Sequence, residues 1–345
     1  MIDATGEILA VLLFASLCVA LMLGFPVAFT LAGVSLLFAG IGHLLGHFDL
    51  VLFLSLAPRY FGVMTNEVVV AVPLFVFMGM ILERSGIAEA LLVTMGQLFG
   101  RLRGGLGYAV VLVGAVLAAS TGVVGATVIT MGLISLPAML KAGYDPKLAT
   151  GTICASATLA QIIPPSTVLI FVADILQGVN QTAQLKLGNL APTPVSVGDL
   201  FAGALIPGLI LVVLYLGWIV WKAVTEPSSC PALVMTEEER AGLWRRVLTA
   251  LVFPLALILS VLGSILAGIA TATESASSGA GGAMAFAAMK GRLSFTVVRH
   301  AVEATAQTTA MIFVILLGAS VFSLVFRGLG GEALVEESLR AMPGG

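Results

Sequence analysis

The sequence predicts an all-α polytopic membrane protein with broken helices and two re-entrant hairpins in a degenerate internal repeat, an architecture typical of elevator-like ion transporters. Hydrophobic residues make up 59% of the 345 residues and charged residues only 10%, whereas about a quarter of a soluble protein is charged. Uncharged runs recur at about the 20 residues of helix that cross a bilayer. Polar residues or prolines interrupt three of these runs, and the order of helix, polar tip and helix occurs twice.

The charge balance and the cysteines exclude several other classes of protein. The 16 Lys and Arg are matched by 18 Asp and Glu, so no basic face is available to neutralise nucleic acid. Cys18, Cys154 and Cys230 are far apart and lack metal-ligand spacing, which excludes a disulfide framework and a zinc site. No Gly-rich loop ending in Lys-Ser/Thr occurs, so transport would draw on an ion gradient, and we expect no cofactor other than a coupling ion.

Residues 1–103 are predicted to form scaffold helices in the lipid bilayer. The run between Glu7 and Asp49 carries no formal charge and is too long for one crossing, and Gly24–Pro26 divides it into two helices. Residues Val51–Met64 mix proline, arginine and aromatic side chains, which is typical of an interfacial stretch. Residues Val68–Leu82 are then a short span.

Residues 104–178 are predicted to contain the first hairpin and a broken helix. The uncharged run Gly104–Leu140 is interrupted by a first tip at Ser120–Gly125, whose hydroxyls and glycines favour an unwound turn. Basic residues precede and follow this hairpin, which predicts that it opens to the cytoplasm. In the run Leu148–Ala173, Pro164 and Pro165 remove two backbone donors and predict a break within the membrane.

Residues 179–246 are predicted to return the chain across the membrane. The polar stretch Gln177–Asp199 suits an external loop, and Phe201–Trp221 is a span. The most hydrophilic stretch, Lys222–Arg246, is predicted to be a cytoplasmic linker or surface helix.

Residues 247–345 are predicted to form the second hairpin and a following helix. The uncharged run Val247–Thr273 meets a second tip at Thr271–Ser275, and a Gly- and Ala-rich arm continues to Met289. Residues Ala304–Phe326 are a further long apolar run. Because this order repeats the order that follows Arg103, we interpret the two parts as a degenerate and incomplete internal repeat.

The polar interruptions predict a cavity that holds a cation and an anion. Backbone groups without hydrogen bonds are tolerated at membrane depth only where they are buried in protein or line a wet cavity. Freed carbonyls and the hydroxyls of Thr121, Thr271 and Thr273 are oxygen ligands of the kind that a hard cation such as Na⁺ prefers. Glu274 adds a negative charge within a long uncharged run. The N-termini of half-helices suit a carboxylate.

Structural interpretations of the same residues stay open. The hydroxyls of Ser120 and Thr121 can simply bond to the preceding turn of their own helix, and Pro164 and Pro165 can be a simple kink. For other ionisable residues in apolar surroundings we expect structural positions. Asp174 is expected at the interface, His43 and His47 in packing rather than in a metal site, and His300 with Glu303 in a solvated turn rather than a proton relay.

Five motifs resemble a known family. They are STGVVGATVITMG at Ser120–Gly132, LPAMLKAGYD at Leu136–Asp145, QIIPPS at Gln161–Ser166, LFAGALIPG at Leu200–Gly208 and GIATATESASSGA at Gly268–Ala280. In this order they resemble the large membrane subunit of the tripartite ATP-independent periplasmic (TRAP) transporters, the DctM-type permease. The likeness extends from about Phe25 to the end of the chain.

The resemblance implies a Na⁺ symporter of the bacterial inner membrane that imports a small organic acid, such as a dicarboxylate, and is not an enzyme. The implied partners are a small four-helix membrane subunit of the DctQ type and a periplasmic solute-binding protein of the DctP type. The implied substrate and ion site comprises Ser120, Thr121, Gly122, Gly125, Thr127, Pro164, Pro165, Ser166, Gly268, Thr271, Thr273 and Glu274. Within it, Na⁺ is expected at Thr121, Gly122, Thr271, Thr273 and Glu274.

The chain departs from the family pattern in two places. Many members have Ser-Gly-Ser-Ser-x-Ala-Asp at the first tip, whereas Thr121–Thr127 keeps the glycine and the alanine but has Val123, Val124 and Thr127 at positions of hydroxyls and an acid. We therefore expect the first ion site to depend more on backbone oxygens. Members also usually continue for several spans after the second hairpin, so we expect either a gene fragment or an incomplete gene model, and a chain that does not transport by itself.

Two rival functions account for fewer of these features. An ion channel is disfavoured because paired hairpin tips suit an occluded site better than a continuous pore, and no ring of charge is evident. An intramembrane hydrolase with Ser120 or Ser166 as nucleophile would need a general base nearby, but the three histidines lie far along the chain.

Overall fold

The computed structural model describes residues 4–121, 124–232 and 242–342. Within these ranges every regular element is a helix, which confirms the all-α prediction. Short 3-10 helices occupy Leu50–Ser55, Leu159–Gln161 and Pro227–Ser229. The α-helices are α1 Ala4–Met22, α2 Val27–Leu44, α3 Leu56–Met64, α4 Glu67–Arg84, α5 Ile87–Phe99, α6 Gly105–Thr121, α7 Val124–Lys141, α8 Pro146–Thr158, α9 Thr167–Lys186, α10 Val197–Thr225, α11 Leu243–Leu266, α12 Ala272–Met289, α13 Phe295–Gly328 and α14 Gly331–Arg340.

Among the described residues, five helices are long and apolar enough to cross a membrane, namely α1, α2, α10, α11 and α13. A sixth crossing is counted if Leu50–Met64 and α4 form one broken span. Only 17–28% of the residues in the apolar windows of the five helices are buried, so their outer faces suit lipid. The prediction of a multi-pass membrane protein is confirmed, including the division between α1 and α2 at Gly24–Pro26.

The helices form two compact units. Unit 1 contains the residues up to Asn66 and those from Gln307 onward, and unit 2 contains Glu67–Ala306. The boundaries at 103, 178 and 246 that the sequence suggested stay predictions. Helices α4 and α5 lie in unit 2, the unit that contains both hairpins. Helix α4 packs closely along the Gly- and Ala-rich α12, where Met78 contacts Gly279.

Unit 1 is built around residues of α1, α2 and the second half of α13. Leu13, Ala39 and Val325 are fully buried in its core. Glycine permits the close approach of α13 to α2, because a Cβ atom on Gly318 would collide with the backbone carbonyl of Ala28. Apolar packing of α2 against α13 therefore fixes this unit.

The first predicted hairpin is confirmed as two antiparallel arms, α6 and α7. The arms approach closely at Gly114, where a Cβ atom would lie 3.3 Å from Met131 Cε of α7 and 2.8 Å from Ser156 Cβ of α8. The arms have 17 and 18 residues, but their continuous apolar parts are only Gly105–Leu117 and Thr127–Lys141, too short to count as membrane crossings on their own. Short arms are consistent with a re-entrant hairpin.

The second predicted hairpin is confirmed as the antiparallel pair α11 and α12. Near its tip the hydroxyls of Ser264 and Ser275 lie 2.8 Å apart. At the other end the rings of Phe253 and Phe286 stack with centroids 4.4 Å apart. The internal repeat that would relate this hairpin to the first stays a prediction.

The predicted external loop is shorter than the sequence indicated. Helix α9 continues to Lys186, so Gln177–Lys186 is helical and only residues 187–196 connect α9 to α10. The amides of Asn180 and Gln184 both donate to the carbonyl oxygen of Thr193, at 2.8 and 3.2 Å. Polar side chains in this stretch therefore bond to the returning loop and leave the helical backbone intact.

One helix was not predicted, and one predicted element lies outside the described residues. Helix α5 was not predicted, because its apolar residues are interspersed with polar ones, but Leu91, Leu92 and Met95 are buried along one face of it. In the hydrophilic stretch, residues 233–241 lie outside the described part of the chain, so a surface helix there stays a prediction.

Candidate substrate and ion site

The first tip is only partly described. Ser120 and Thr121 end the backbone of α6, and Gly122 lies outside the described residues. Gly125 is exposed in the first turn of α7, with no atom within 4 Å of a Cβ built on it, whereas Thr127, two residues further, is buried. The start of α7 contains an open glycine and a buried threonine, so these two predicted site residues have different surroundings.

The predicted break after α8 is confirmed. The chain forms a 3-10 turn at Leu159–Gln161, passes through buried Pro164 and Pro165, which are joined by a cis peptide bond, and resumes as α9 at Thr167. Ser166 is completely buried and is the N-cap of α9. Its hydroxyl donates to the carbonyl oxygen of Gln161 at 2.8 Å and accepts from the amide of Leu169 at 3.4 Å. Ser166 therefore joins the two sides of the break.

Two of the sequence motifs meet at this break. Gly208 of α10 lies against Ile163, because a Cβ atom on Gly208 would be 3.1 Å from Ile163 Cγ1. The same apolar cluster contains Leu159 and Val212, and Val124 from the first hairpin packs against it. The structure thus brings the start of α7, the proline break and α10 together.

The second tip is a capping box at the start of α12. The amide of Glu274 donates to Thr271 Oγ1 at 3.2 Å, and the amide and hydroxyl of Thr271 donate to Glu274 Oε2 at 2.8 and 3.0 Å. This arrangement satisfies backbone donors that a helix N-terminus leaves free. Glu274 is exposed and is therefore not a buried, uncompensated charge.

The second tip lines an open cavity of about 710 Å³. Gly268, Thr271, Thr273 and Glu274 line it, as do residues at the start of α4 and of α10. The hydroxyl of Thr273 donates to the carbonyl oxygen of Glu67 at 3.0 Å, which joins the tip to α4. Among the described residues, none from the first hairpin or from Pro164–Ser166 lines this cavity. The second half of the predicted site therefore lines one shared cavity.

The GYD motif at Gly143–Asp145 has a structural function. Tyr144 is buried and its hydroxyl accepts the amide of Leu106 at 3.1 Å, at the start of α6. Burial raises the pKa of Tyr144 to about 12, so the phenol stays neutral at physiological pH. Asp145 caps α8 by accepting the amide of Lys147 at 2.7 Å. The motif therefore fixes the turn between α7 and α8 against the base of the first hairpin.

The carboxylate of Glu83, which directly follows the predicted span Val68–Leu82, contacts the first hairpin. The hydroxyl of Thr130, on α7, donates to Glu83 Oε1 at 2.6 Å. Glu83 Oε2 is buried, and among the described residues no donor lies within hydrogen-bonding distance of it. This residue was missed because its neighbour Arg84 made the pair resemble an ordinary charged helix end.

Several other ionisable residues were expected in structural positions. His43 Nδ1 lies 3.1 Å from the carbonyl oxygen of Phe48, and no group of three or more metal-ligating side chains occurs within the described residues. Asp174 is half-buried, and His300 and Glu303 are exposed, as expected for a solvated turn. The capping box was the main signal overlooked, since Thr-x-x-Glu before a helix is its sequence pattern.

Comparison with known proteins identifies the family. The sequence profile of the DctM component of the tripartite ATP-independent periplasmic transporter matches residues 14–345. The C4-dicarboxylate TRAP transporter large permease protein DctM of Rhodobacter capsulatus is 30% identical over 279 residues, which are 79% of this chain and 61% of that protein. The ectoine/5-hydroxyectoine TRAP transporter large permease protein UehC of Ruegeria pomeroyi is 28% identical over 324 residues, or 92% and 68%.

A third relative is the isethionate TRAP transporter permease protein DctMQ of Oleidesulfovibrio alaskensis, which is 27% identical over 262 residues, or 74% of this chain and 37% of that protein. The chain spans 47–61% of the length of its relatives from Rhodobacter capsulatus, Haemophilus influenzae and Pseudomonas aeruginosa. From the match across nearly its whole length, the chain belongs to the DctM family of TRAP transporter large permeases.

Proposed function

We propose that this chain is part of the large membrane subunit of a Na⁺-coupled secondary transporter in the bacterial inner membrane. It imports a small organic acid that a DctP-type periplasmic binding protein delivers, together with a DctQ-type small membrane subunit. The proposal rests on family membership and on the paired hairpins. Helical hairpins around a central site are a common arrangement for alternating access.

The observation that carries the ion site is the second tip. Glu274 Oε2 is engaged in the capping box, whereas Oε1 makes no hydrogen bond within the described residues and the side chain lines the open cavity. Thr271 and Thr273 line the same cavity. A carboxylate with one fixed and one available oxygen, beside hydroxyls, is a suitable ligand set for a hard cation. We assign Na⁺ to this tip, and backbone oxygens near Thr121 and Gly122 to the first site.

We propose a class of substrate, small organic acids, and not the compound for which any one relative is named. The relatives are named for C4-dicarboxylates, for ectoine and for isethionate, so family membership alone selects none of these. A small organic acid is supported by the N-terminus of α7 at the first tip, because its partial positive charge favours an anion.

The ion site can be tested with a matched pair of substitutions in the full-length subunit, reconstituted with its partner proteins. Glu274→Gln keeps a side chain that can maintain the capping box but removes the charge. Asp199→Asn removes the charge from an equivalent capping box at Ser196, in which the amide of Ser196 donates to Asp199 Oδ2 at 2.8 Å. We expect Glu274→Gln to abolish Na⁺-driven uptake, and Asp199→Asn to retain it.

Uptake should be measured against Na⁺ concentration, together with thermal unfolding of each variant. A capping residue contributes about 0.5–2 kcal/mol, so a loss of stability in both variants without a specific loss of Na⁺ dependence would show a purely structural role for Glu274. A conductance that persists without substrate coupling would instead favour a channel. Co-purification with a small membrane protein and a secreted binding protein encoded beside this gene would test the proposed partners.

A further inference from the structure

A small pocket lies at the end of unit 2 opposite the second tip. Helices α4 and α12 run parallel, from the contact of Glu67 with Thr273 to the contact of Gly86 with Arg292. At this far end, the turn between α4 and α5, the start of α11 and the end of α12 enclose about 330 Å³. We call it the basic pocket because Arg246, Lys290 and Arg292 line it.

The described part of the basic pocket's lining carries only positive charge. Among the described residues that line it, none is acidic, and no described carboxylate pairs with Lys290 or Arg292. The wall between the cations is apolar and includes Ile87, Ala250 and Phe286. The positive charges of Lys290 and Arg292 repel each other, and an anion between them would relieve this repulsion. The pocket is therefore suited to an anion that also carries an apolar part.

Two of the cations are held in position by their surroundings. Lys290 Nζ lies 5.7 Å from the ring centroid of Phe253 and 5.8 Å from that of Phe286, which stack on each other. The guanidinium of Arg292 lies over the turn at Gly86, where a Cβ atom would be 3.3 Å from its Nη1 atom. Gly86 has a φ of 71°, so glycine also provides the conformation of this turn. An anion would thus meet cations that are already placed.

The pocket lies at the depth of the membrane interface. The apolar part of α11 begins at Val247, directly after Arg246, and Trp244 beside it is exposed. Helix α12 ends at Met289, directly before Lys290. Exposed tryptophan and basic residues at the end of an apolar helix are typical of the level at which phospholipid headgroups lie. The two helices therefore place their cations at the same level.

We propose that the basic pocket binds the phosphate group of an anionic phospholipid. Lys290 and Arg292 contact the phosphate oxygens, and the planar guanidinium of Arg292 can donate two parallel hydrogen bonds. The apolar wall contacts the glycerol and the first acyl carbons. Binding there would stabilise the end of α12 against the turn between α4 and α5. This site is independent of the ion site at the second tip.

The test uses the full chain in a neutral detergent and counts bound lipids by native mass spectrometry. Phosphatidylglycerol, phosphatidylcholine and inorganic phosphate are titrated separately. Lys290→Gln with Arg292→Gln removes two pocket charges, and Arg101→Gln with Arg103→Gln removes two exposed charges from another basic segment as a matched control. We expect the pocket variant to bind phosphatidylglycerol about thirtyfold more weakly, and the control variant to bind it as the parent does.

A third variant keeps the charges, with Lys290→Arg and Arg292→Lys, and should bind phosphatidylglycerol within a few-fold of the parent. Circular dichroism and gel filtration of every variant establish that each is folded. Equal weakening in the pocket and control variants would show non-specific attraction and overturn the proposal. Equal binding of phosphatidylcholine, or displacement of phosphatidylglycerol by millimolar inorganic phosphate with the same dependence on Lys290 and Arg292, would overturn the assignment to an anionic lipid.

Discussion

The contact between Thr130 and Glu83 gives the sharpest prediction about stability. The hydroxyl of Thr130 donates to Glu83 Oε1 at 2.6 Å and is the only described donor to this carboxylate. Thr130→Val keeps the shape of the side chain but removes this donor. Because Glu83 Oε2 is already buried without a described donor, the substitution leaves both oxygens of the carboxylate unpaired. Hydrogen bonds to charged groups contribute about 1.5–3 kcal/mol. We therefore expect Thr130→Val to lower the free energy of unfolding by about 2 kcal/mol.

The assay is equilibrium unfolding in mixed detergent and denaturant, followed by circular dichroism. Thr130→Ser keeps the hydroxyl and is the control, with an expected change below about 1 kcal/mol. Glu83→Met in the Thr130→Val background removes the unpaired carboxylate, so the double variant should recover most of the loss. Unfolding of Thr130→Val at the same denaturant concentration as the parent, or an equal loss in Thr130→Ser, would refute the reasoning.

Two further predictions concern the motifs. Gly208→Val should destabilise the protein by about 1–3 kcal/mol, because the new side chain would press on Ile163. Gly203→Val is the control and should not destabilise the protein, because a Cβ atom there meets no atom within 4 Å. Thermal unfolding of both variants checks this prediction. The pKa of Tyr144 is raised to about 12 by burial, so its contribution to stability is complete below pH 10 and falls as the pH rises towards 12. Tyr144→Phe should remove that part of the alkaline loss, measured as unfolding free energy between pH 9 and about 12.

Much of the fold follows from the sequence because lipid imposes strong constraints on a chain. Uncharged runs of helical length predicted α1, α2, α10, α11 and α13, and polar or proline interruptions predicted both hairpins and the break before α9. In a bilayer, backbone groups must bond within helices, so interruptions are visible against an apolar background. By contrast, α5 and the polar end of α9 were missed because their helical structure depends on contacts with distant residues, such as that of Asn180 with Thr193.

The sequence named the candidate site residues but did not show how they are arranged. Thr271, Thr273 and Glu274 were named from their polar character in an apolar run, and the structure adds that a capping box holds Glu274 Oε2 while Oε1 is available. It also packs the proline break against Gly208 and the start of α7. Which helices meet is decided by glycine positions and side-chain volumes on several segments at once. That information is absent from any single stretch of sequence. For this reason only the tertiary structure reveals the contact of Thr130 with Glu83, and only it groups Lys290 and Arg292 with Gly86.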